Sequence, residues 1–318
     1  MPTSRDTHGP KLEAPMIVFW GAMQVAKRIG LAKPLASLAI RRILSEKVKR
    51  RAFAGYEPNE HDVFVTTFGK SGTNWMMQIA QQIAYRGAAE FAHIHDMVPW
   101  PDAPSPKAVP LDDMTARDGS PTGLRVIKTH LETGHIPYDE KAVYLTVLRD
   151  PKEVLVSAYY FLGGVMGMIS HVGIGEWLEL SMDNIATGWS VHAASFWAWR
   201  DRPNVLVVNF REVKEQPREC IERVASKMGV TLTEAEFEKV IERSSLNHMR
   251  AHESQFQPPQ APFTRDENAT VMIRRGKSGD SGELLSREQQ AAIDRFCQEN
   301  LRELGSDLPY SDWFDVVA

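Results

Sequence analysis

The chain of 318 residues holds only two cysteines, Cys220 and Cys297, far apart in sequence. That scarcity weighs against a disulfide framework, and a reducing, cytoplasmic setting is the simpler expectation. Basic residues are not in excess either: 37 Lys and Arg against 41 Asp and Glu give a formal charge of -4. Bulk electrostatic binding to nucleic acid is therefore not expected, although a local basic pocket is compatible with this balance. No apolar run is long enough to span a membrane, because the stretch from Met16 to Ala26 stops at Lys27 and Arg28. Nor does the small-residue cleavage site of a secretory signal follow it. Internal repeats and long low-complexity tracts are absent. What is present is an ordinary globular composition, 43% hydrophobic and 25% charged, with enough chain to bury a sizeable core.

Four short β-branched runs, Asp62–Thr67, Leu124–Thr129, Ala142–Leu148 and Asn204–Asn209, predict strands. Their near-continuous apolar character suits buried parallel strands. Helical patterns cover Asn74–Arg86, Lys152–Phe161, Trp189–Arg200, Val213–Met228, Glu234–Arg243 and Ser286–Leu304. This alternation predicts an α/β fold, a three-layer α/β/α sandwich with a central parallel sheet. Ligands in such folds sit beyond the carboxyl ends of the strands, so motifs at those ends carry the most weight. Three segments rich in loop formers, Pro99–Gly123, Gly163–Gly175 and Ser254–Thr270, read as lids, binding loops or disordered segments.

The first strand end is the most informative. Val63 to Thr67 runs into Phe68-Gly69-Lys70-Ser71-Gly72-Thr73, and the helical spacing of Trp75, Ile79 and Ile83 follows. A strand, a glycine turn carrying a lysine and a helix N-terminus together form a P-loop-like anion cradle, with backbone N–H groups and the helix dipole favouring negative charge. In the nucleotide-triphosphate loop G-x-x-x-x-G-K-[ST], Gly69-Lys70-Ser71 would supply the last three positions. The first glycine would fall on Phe64 inside the strand, so this cradle is shorter. Three more groups lie where the ligand crevice should be: Lys128-Thr129-His130, Arg149-Asp150-Pro151 with Ser157 beyond it, and Arg274-Arg275-Gly276-Lys277-Ser278-Gly279-Asp280. His93-Ile94-His95-Asp96 invites a metal reading, but further nearby ligands are lacking and a loop leading to Pro99-Trp100 is the better account. No metal is expected.

In this order the motifs resemble the PAPS-dependent cytosolic sulfotransferases. The matching segments are FGKSGTNW for the 5′-phosphosulfate loop, KTHL for the catalytic histidine, LRDPKEVLVSAYYF for the 3′-phosphate site and IRRGKSGD for the C-terminal cofactor loop. DMVPW and NFREVKEQP occupy the places of the acceptor-side segment and the tyrosine-bearing strand end. The resemblance spans about Asp62 to Asp280. It implies His130 as general base, with Lys70 holding the oxygen that bridges sulfur and phosphorus and Lys128 steadying the transferring sulfonate. Ser157 would bind the 3′-phosphate and restrain Lys70. It further implies that Ser71, Gly72, Thr73 and Asn74 wrap the 5′-phosphate, that Trp75 stacks on adenine, and that Arg149 binds the 3′-phosphate with Arg274, Arg275 and Gly276. Trp100 and Phe161 match acceptor-pocket positions. The co-substrate would be PAPS (3′-phosphoadenosine 5′-phosphosulfate) and the acceptor a hydroxyl on a small, largely apolar molecule.

The chain departs from the family pattern at several positions. Gly69 replaces a proline and Asn74 a threonine. Phe210 replaces the strand-end tyrosine, and Leu246 an adenine-stacking aromatic, with Ser244 retained beside it. The tryptophan after the C-terminal Gly-Asp is Ser281. Gly282, Ser286, Arg287 and Ala291 fall where the family carries a short dimer motif, which leaves the oligomeric state open. Residues 1–55 read as a helical, basic segment packed on a single domain of residues 56–318; the same segment offers a weak contact with an anionic membrane surface. Two rival readings stay open from sequence: a P-loop-like nucleotide kinase, and a nucleotide-binding peripheral membrane protein without turnover.

Overall fold

Each β-branched run becomes a strand: β1 (Asp62–Thr66), β2 (Arg125–Thr129), β3 (Val143–Leu148) and β4 (Val205–Asn209). The computed structural model describes residues 45–102, 108–162, 173–257 and 280–317, with a few more between 21 and 29. All strand pairs are parallel, in the order β2-β1-β3-β4. Strands β1, β2 and β3 are buried at every position, as strands of a sheet covered on both faces should be. The period of two sorts their side chains. Val63, Val65, Val126, Leu145 and Val147 enter one core, while Phe64, Ile127 and Tyr144 enter another. Phe64 and Tyr144 are register partners, and their rings stack with centroids 5.0 Å apart.

The helices are α1 (Glu46–Ala52), α2 (Thr73–Ala84), α3 (Thr115–Asp118), α4 (Pro151–Tyr160), α5 (Ile174–Ser181) and α6 (Thr187–Trp197), then α7 (Phe210–Glu215), α8 (Pro217–Lys227), α9 (Glu234–Ser244), α10 (Leu246–Ala251), α11 (Arg287–Glu303) and α12 (Tyr310–Trp313). Apolar stripes of α2, α8 and α9 cover the first face of the sheet. Phe196 of α6 and Phe53 just after α1 pack on the second face. A further core joins α4, α6, α11 and the C-terminal residues. The sandwich expected from the alternation is present. Because β2 and β3 flank β1 on opposite sides, the winding reverses there, and a crevice opens at the carboxyl ends of these strands. The loop after β1, His130 after β2 and Arg149 after β3 all meet at that crevice.

Two elements differ from the sequence expectation. The helix predicted to begin at Trp189 is preceded by α5 and a wide π turn over Met182–Ala186. The helix predicted over Val213–Met228 is broken into α7 and α8, because Pro217 has no N–H and its ring would clash with the preceding turn. Gln216 takes φ -130° and ψ 53°, and Pro217 instead opens α8, where a missing N–H costs nothing. Both cysteines are buried free thiols. No helix among the described residues is long and apolar enough to cross a membrane.

The amino end of the sheet is closed by a buried ion pair. Arg125 Nε and Asp62 Oδ1 lie 2.9 Å apart with both side chains 0% exposed. The remaining donors of Arg125 reach Leu111 O at 2.8 Å, Asp113 O at 3.0 Å and the Tyr56 hydroxyl at 2.5 Å. This cluster sits at the pole opposite the crevice and anchors the first residues of β1 and β2.

Candidate active site

The loop after β1 is wound tightly by its own residues. Ser71 N–H donates to Phe68 O at 3.1 Å, and the hydroxyls of Thr67 and Thr73 meet at 2.5 Å, tying the strand end to the helix start. Lys70 has φ 68° and Gly72 φ 95°, both in the left-handed region. At Gly72 glycine is required twice over: a Cβ there would also lie 2.9 Å from the Phe210 ring. No side chain caps α2, and the buried Ser71 hydroxyl has no hydrogen-bond partner among the described residues. Orphan N–H groups at a helix start and a spare hydroxyl are donors suited to an anionic acceptor, so the residues present fit a phosphate-type group.

Three cations converge on this loop. The Lys70 ammonium lies 4.0 Å from the Phe161 ring centroid, and the Lys128 ammonium 3.2 Å from that of Trp100. Arg149 stacks on Phe210 at 4.4 Å and donates to Lys70 O at 2.9 Å, with Glu153 holding its Nε at 2.9 Å. Its ion-pair partner is thus Glu153; neighbouring Asp150 pairs with Lys152 at 3.1 Å. Among the described residues, no carboxylate comes within ion-pair distance of Lys70 or Lys128. Burial, followed by repulsion from Arg149, pushes Lys70 down to about 7. Burial does the same to Lys128, to about 7, with Asp102 opposing the shift and Lys70 adding to it. Packed cations whose counter-charge is incomplete create a potential that draws an anion.

His130 is fixed in one tautomer. Its Nδ1 lies 2.6 Å from Thr67 O, and a carbonyl only accepts, so Nδ1 carries the proton and Nε2 keeps its lone pair. The ring stands edge-on to Trp100 at 5.3 Å, and Trp100 stacks on His95, also at 5.3 Å. Burial and the Lys128 cation hold the imidazole down to about 3, so it is neutral and proton-accepting at pH 7. Lys128 and His130, two residues apart, are brought together across Trp100.

The remaining predicted residues take varied positions. Trp75 Nε1 donates to Ser244 O at 2.8 Å, and its ring meets Phe210 edge-on at 6.0 Å. The Ser244 hydroxyl donates back to Val240 O at 2.6 Å within α9. Asn74 Nδ2 reaches Phe256 O at 3.3 Å. Leu246 is the partly exposed first residue of α10, two positions beyond Ser244. Half-buried Ser157 lies on α4 one turn before Phe161; no hydrogen bond joins it to Lys70, whose ammonium sits over Phe161 instead. Arg274, Arg275 and Gly276 lie outside the described residues. His93 and His95 are used locally, Nε2 of His93 contacting Gln257 O at 3.0 Å and Nδ1 of His95 contacting Val98 O at 2.8 Å, while Asp96 caps the His93 N–H. Sequence reasoning missed Asp102, which accepts the His130 backbone N–H at 2.9 Å, and His192, whose ring packs on Phe68 and Phe196. Only the carboxylate two places after Trp100 could have hinted at the former.

A family model described as sulfotransferase domain matches residues 60–305. The chain belongs to the sulfotransferase family. It is 26% identical over 255 residues to sulfotransferase 2A1 of Macaca fascicularis, covering 78% of this chain and 87% of that protein. It is 24% identical over 268 residues to sulfotransferase 1C2 of Homo sapiens, covering 77% and 88%. It is also 26% identical over 269 residues to the amine sulfotransferase of Oryctolagus cuniculus, covering 78% and 83%. The fold is shared with retinol dehydratase, solved in complex with androsterone and inactive cofactor PAP (TM-score 0.67, 18% identity, 84% of this chain and 87% of that one). It is shared too with mouse sulfotransferase SULT7A1 complexed with PAP (TM-score 0.63, 20% identity, 86% and 96%). Family membership decides against the kinase reading of the loop, and the chain is an enzyme of the sulfotransferase class.

Proposed function

We propose that this sulfotransferase moves the sulfonate group of PAPS to a hydroxyl of a small, largely apolar acceptor, giving a sulfate ester and 3′,5′-ADP. The observation that carries the reading is the His130 tautomer: an imidazole with Nδ1–H spent on Thr67 O and Nε2 free, beside two buried lysines. PAP in two neighbours of the same fold, and androsterone in one of them, support the donor and the acceptor class.

The donor supplies an activated sulfur–oxygen bond. His130 Nε2 takes the acceptor's hydroxyl proton as its oxygen bonds to sulfur, while the bond from sulfur to the bridging oxygen breaks and its electron pair stays on the phosphate. Lys70 and Lys128 place cations where that charge grows and on the sulfonate oxygens. Ser71, Gly72, Thr73 and Asn74 hold the 5′-phosphate. Arg149 and Ser157, with Arg274, Arg275 and Gly276, hold the 3′-phosphate. Trp75, Phe210, Ser244 and Leu246 form the adenine side. Trp100 and Phe161, which seat the two ammonium groups, also wall the acceptor. A cytoplasmic site of action, and residues 1–55 packed on a single domain of 56–318, complete the proposal. Buried Phe53 and the Lys49–Glu132 ion pair at 2.7 Å support that packing.

The test is PAPS turnover against a panel of phenols, alcohols, sterols and amines, with His130→Ala as control. Loss of the base should lower kcat by about 10²-fold or more, while thermal stabilisation by 3′,5′-ADP is retained. Near-native turnover by the variant would remove the assigned base.

A further inference from the structure

Lys128 and His130 close the carboxyl end of β2, an edge strand, and both turn their backbone N–H toward the segment Pro99–Asp102. Lys128 N–H donates to Pro99 O, and two residues on His130 N–H donates to Asp102 Oδ2, each at 2.9 Å. A side-chain carboxylate therefore takes the place of the next ladder carbonyl on an edge that would otherwise be unpaired. Leu131 N–H donates to Thr129 Oγ1 at 3.1 Å, which ties the turn after β2. The other carboxylate oxygen, Oδ1, is enclosed and has no hydrogen-bond partner among the described residues.

An enclosed, half-bonded carboxylate is costly unless a cation balances it, and a cation buried without an anion is equally costly. The charged and titratable groups facing Lys128 are Asp102, Lys70, His95 and His130. Asp102 alone among them is acidic. Burial favours the neutral form of each partner and raises the Asp102 carboxyl; the His130 N–H bond and the Lys128 charge oppose that rise.

We propose that Asp102 is a positioning residue of this site: its carboxylate fixes the backbone of His130 and supplies negative charge that holds a larger share of Lys128 as a cation beneath the reacting group. The catalytic consequence rests on the sulfotransfer reading above; the coupling of Asp102 to Lys128 does not. A purely structural cap would need only an acceptor oxygen, which asparagine also provides, so Asp102→Asn separates the two roles. Asp102→Glu keeps the charge.

The experiment uses the full chain with 13C-labelled lysine and follows Lys128 by NMR across pH, assigned with Lys128→Arg, beside kcat–pH profiles with PAPS. In Asp102→Asn the Lys128 midpoint should fall by about one pH unit or more. The kcat at pH 7.5 should drop about 10-fold, its alkaline limb moving to lower pH, while Asp102→Glu keeps both near wild type. An unchanged Lys128 midpoint and an unchanged profile in Asp102→Asn would overturn the proposal. Should that variant not fold, the wild type still decides: its Asp102 carboxyl carbon must report an ionised group at pH 6 to 7, and a protonated one overturns the proposal. A shifted Lys128 midpoint in a chain that turns over no acceptor would sink the transfer reading and leave the Asp102–Lys128 couple standing.

Discussion

Donor binding should weaken steeply as the solution becomes alkaline. Lys70 and Lys128 are both pushed down to about 7, mainly by burial. A depressed lysine is a cation below that value and loses its charge as pH rises through it. Each is therefore half charged at pH 7 and charged in about one molecule in a hundred at pH 9. If binding needs one of them as a cation, affinity falls about 50-fold across this window, or about 2.3 kcal/mol; if it needs both, the fall is larger. The phosphates of 3′,5′-ADP have a second pKa of about 6, so the ligand's own charge hardly changes from pH 7 to 9. His130, held to about 3, stays neutral throughout. Titration calorimetry with 3′,5′-ADP at pH 7, 8 and 9, in two buffers of different ionisation enthalpy, yields both the Kd and the protons taken up. Above pH 7 the complex should take up about one proton per lysine recharged, and Lys70→Met should bind more weakly at pH 7 with a flatter pH curve. A wild-type Kd constant within about threefold from pH 7 to 9, with no proton uptake, would refute the reasoning.

Two further outcomes test the frame around the site. Arg125→Met leaves Asp62 buried without its partner and should cost about 3–5 kcal/mol in urea unfolding; a loss under about 1 kcal/mol would contradict the burial of that pair. Gly72→Ala forces a side chain into φ 95° and to 2.9 Å from Phe210. It should lower stability by about 1 kcal/mol or more and weaken 3′,5′-ADP binding, and a variant that melts and binds like wild type would show that the loop tolerates a Cβ.

Much of this architecture was legible in the chain because it is set by neighbours. The run Val63–Thr66 is a strand because its residues are β-branched or aromatic and apolar on both faces, and the glycine turn after it is a cradle because Lys70 and Gly72 adopt left-handed backbone there. Helix α5 was not legible: it is only eight residues long, and its start at Ile174 and Gly175 falls in the glycine-rich stretch read as a loop, although Ile174, Trp177 and Leu178 pack inward. The break at Pro217 was present in the sequence but outweighed by the helical pattern on either side of it.

Local chemistry along the sequence determined the strands, the phosphate-type loop and the ordered set Lys70, Lys128, His130 and Arg149, since each depends on residues a few positions away. Only the tertiary structure decided how those groups are tuned. The proton on His130 is placed by Thr67 O, 63 residues distant, and its backbone is held by Asp102, 28 residues distant. Trp100 and Phe161 become seats for ammonium groups, and Arg149 takes Glu153 in place of adjacent Asp150. Hydrogen bonds, burial and charge act through space across a few ångströms, and the folding of the chain sets those distances.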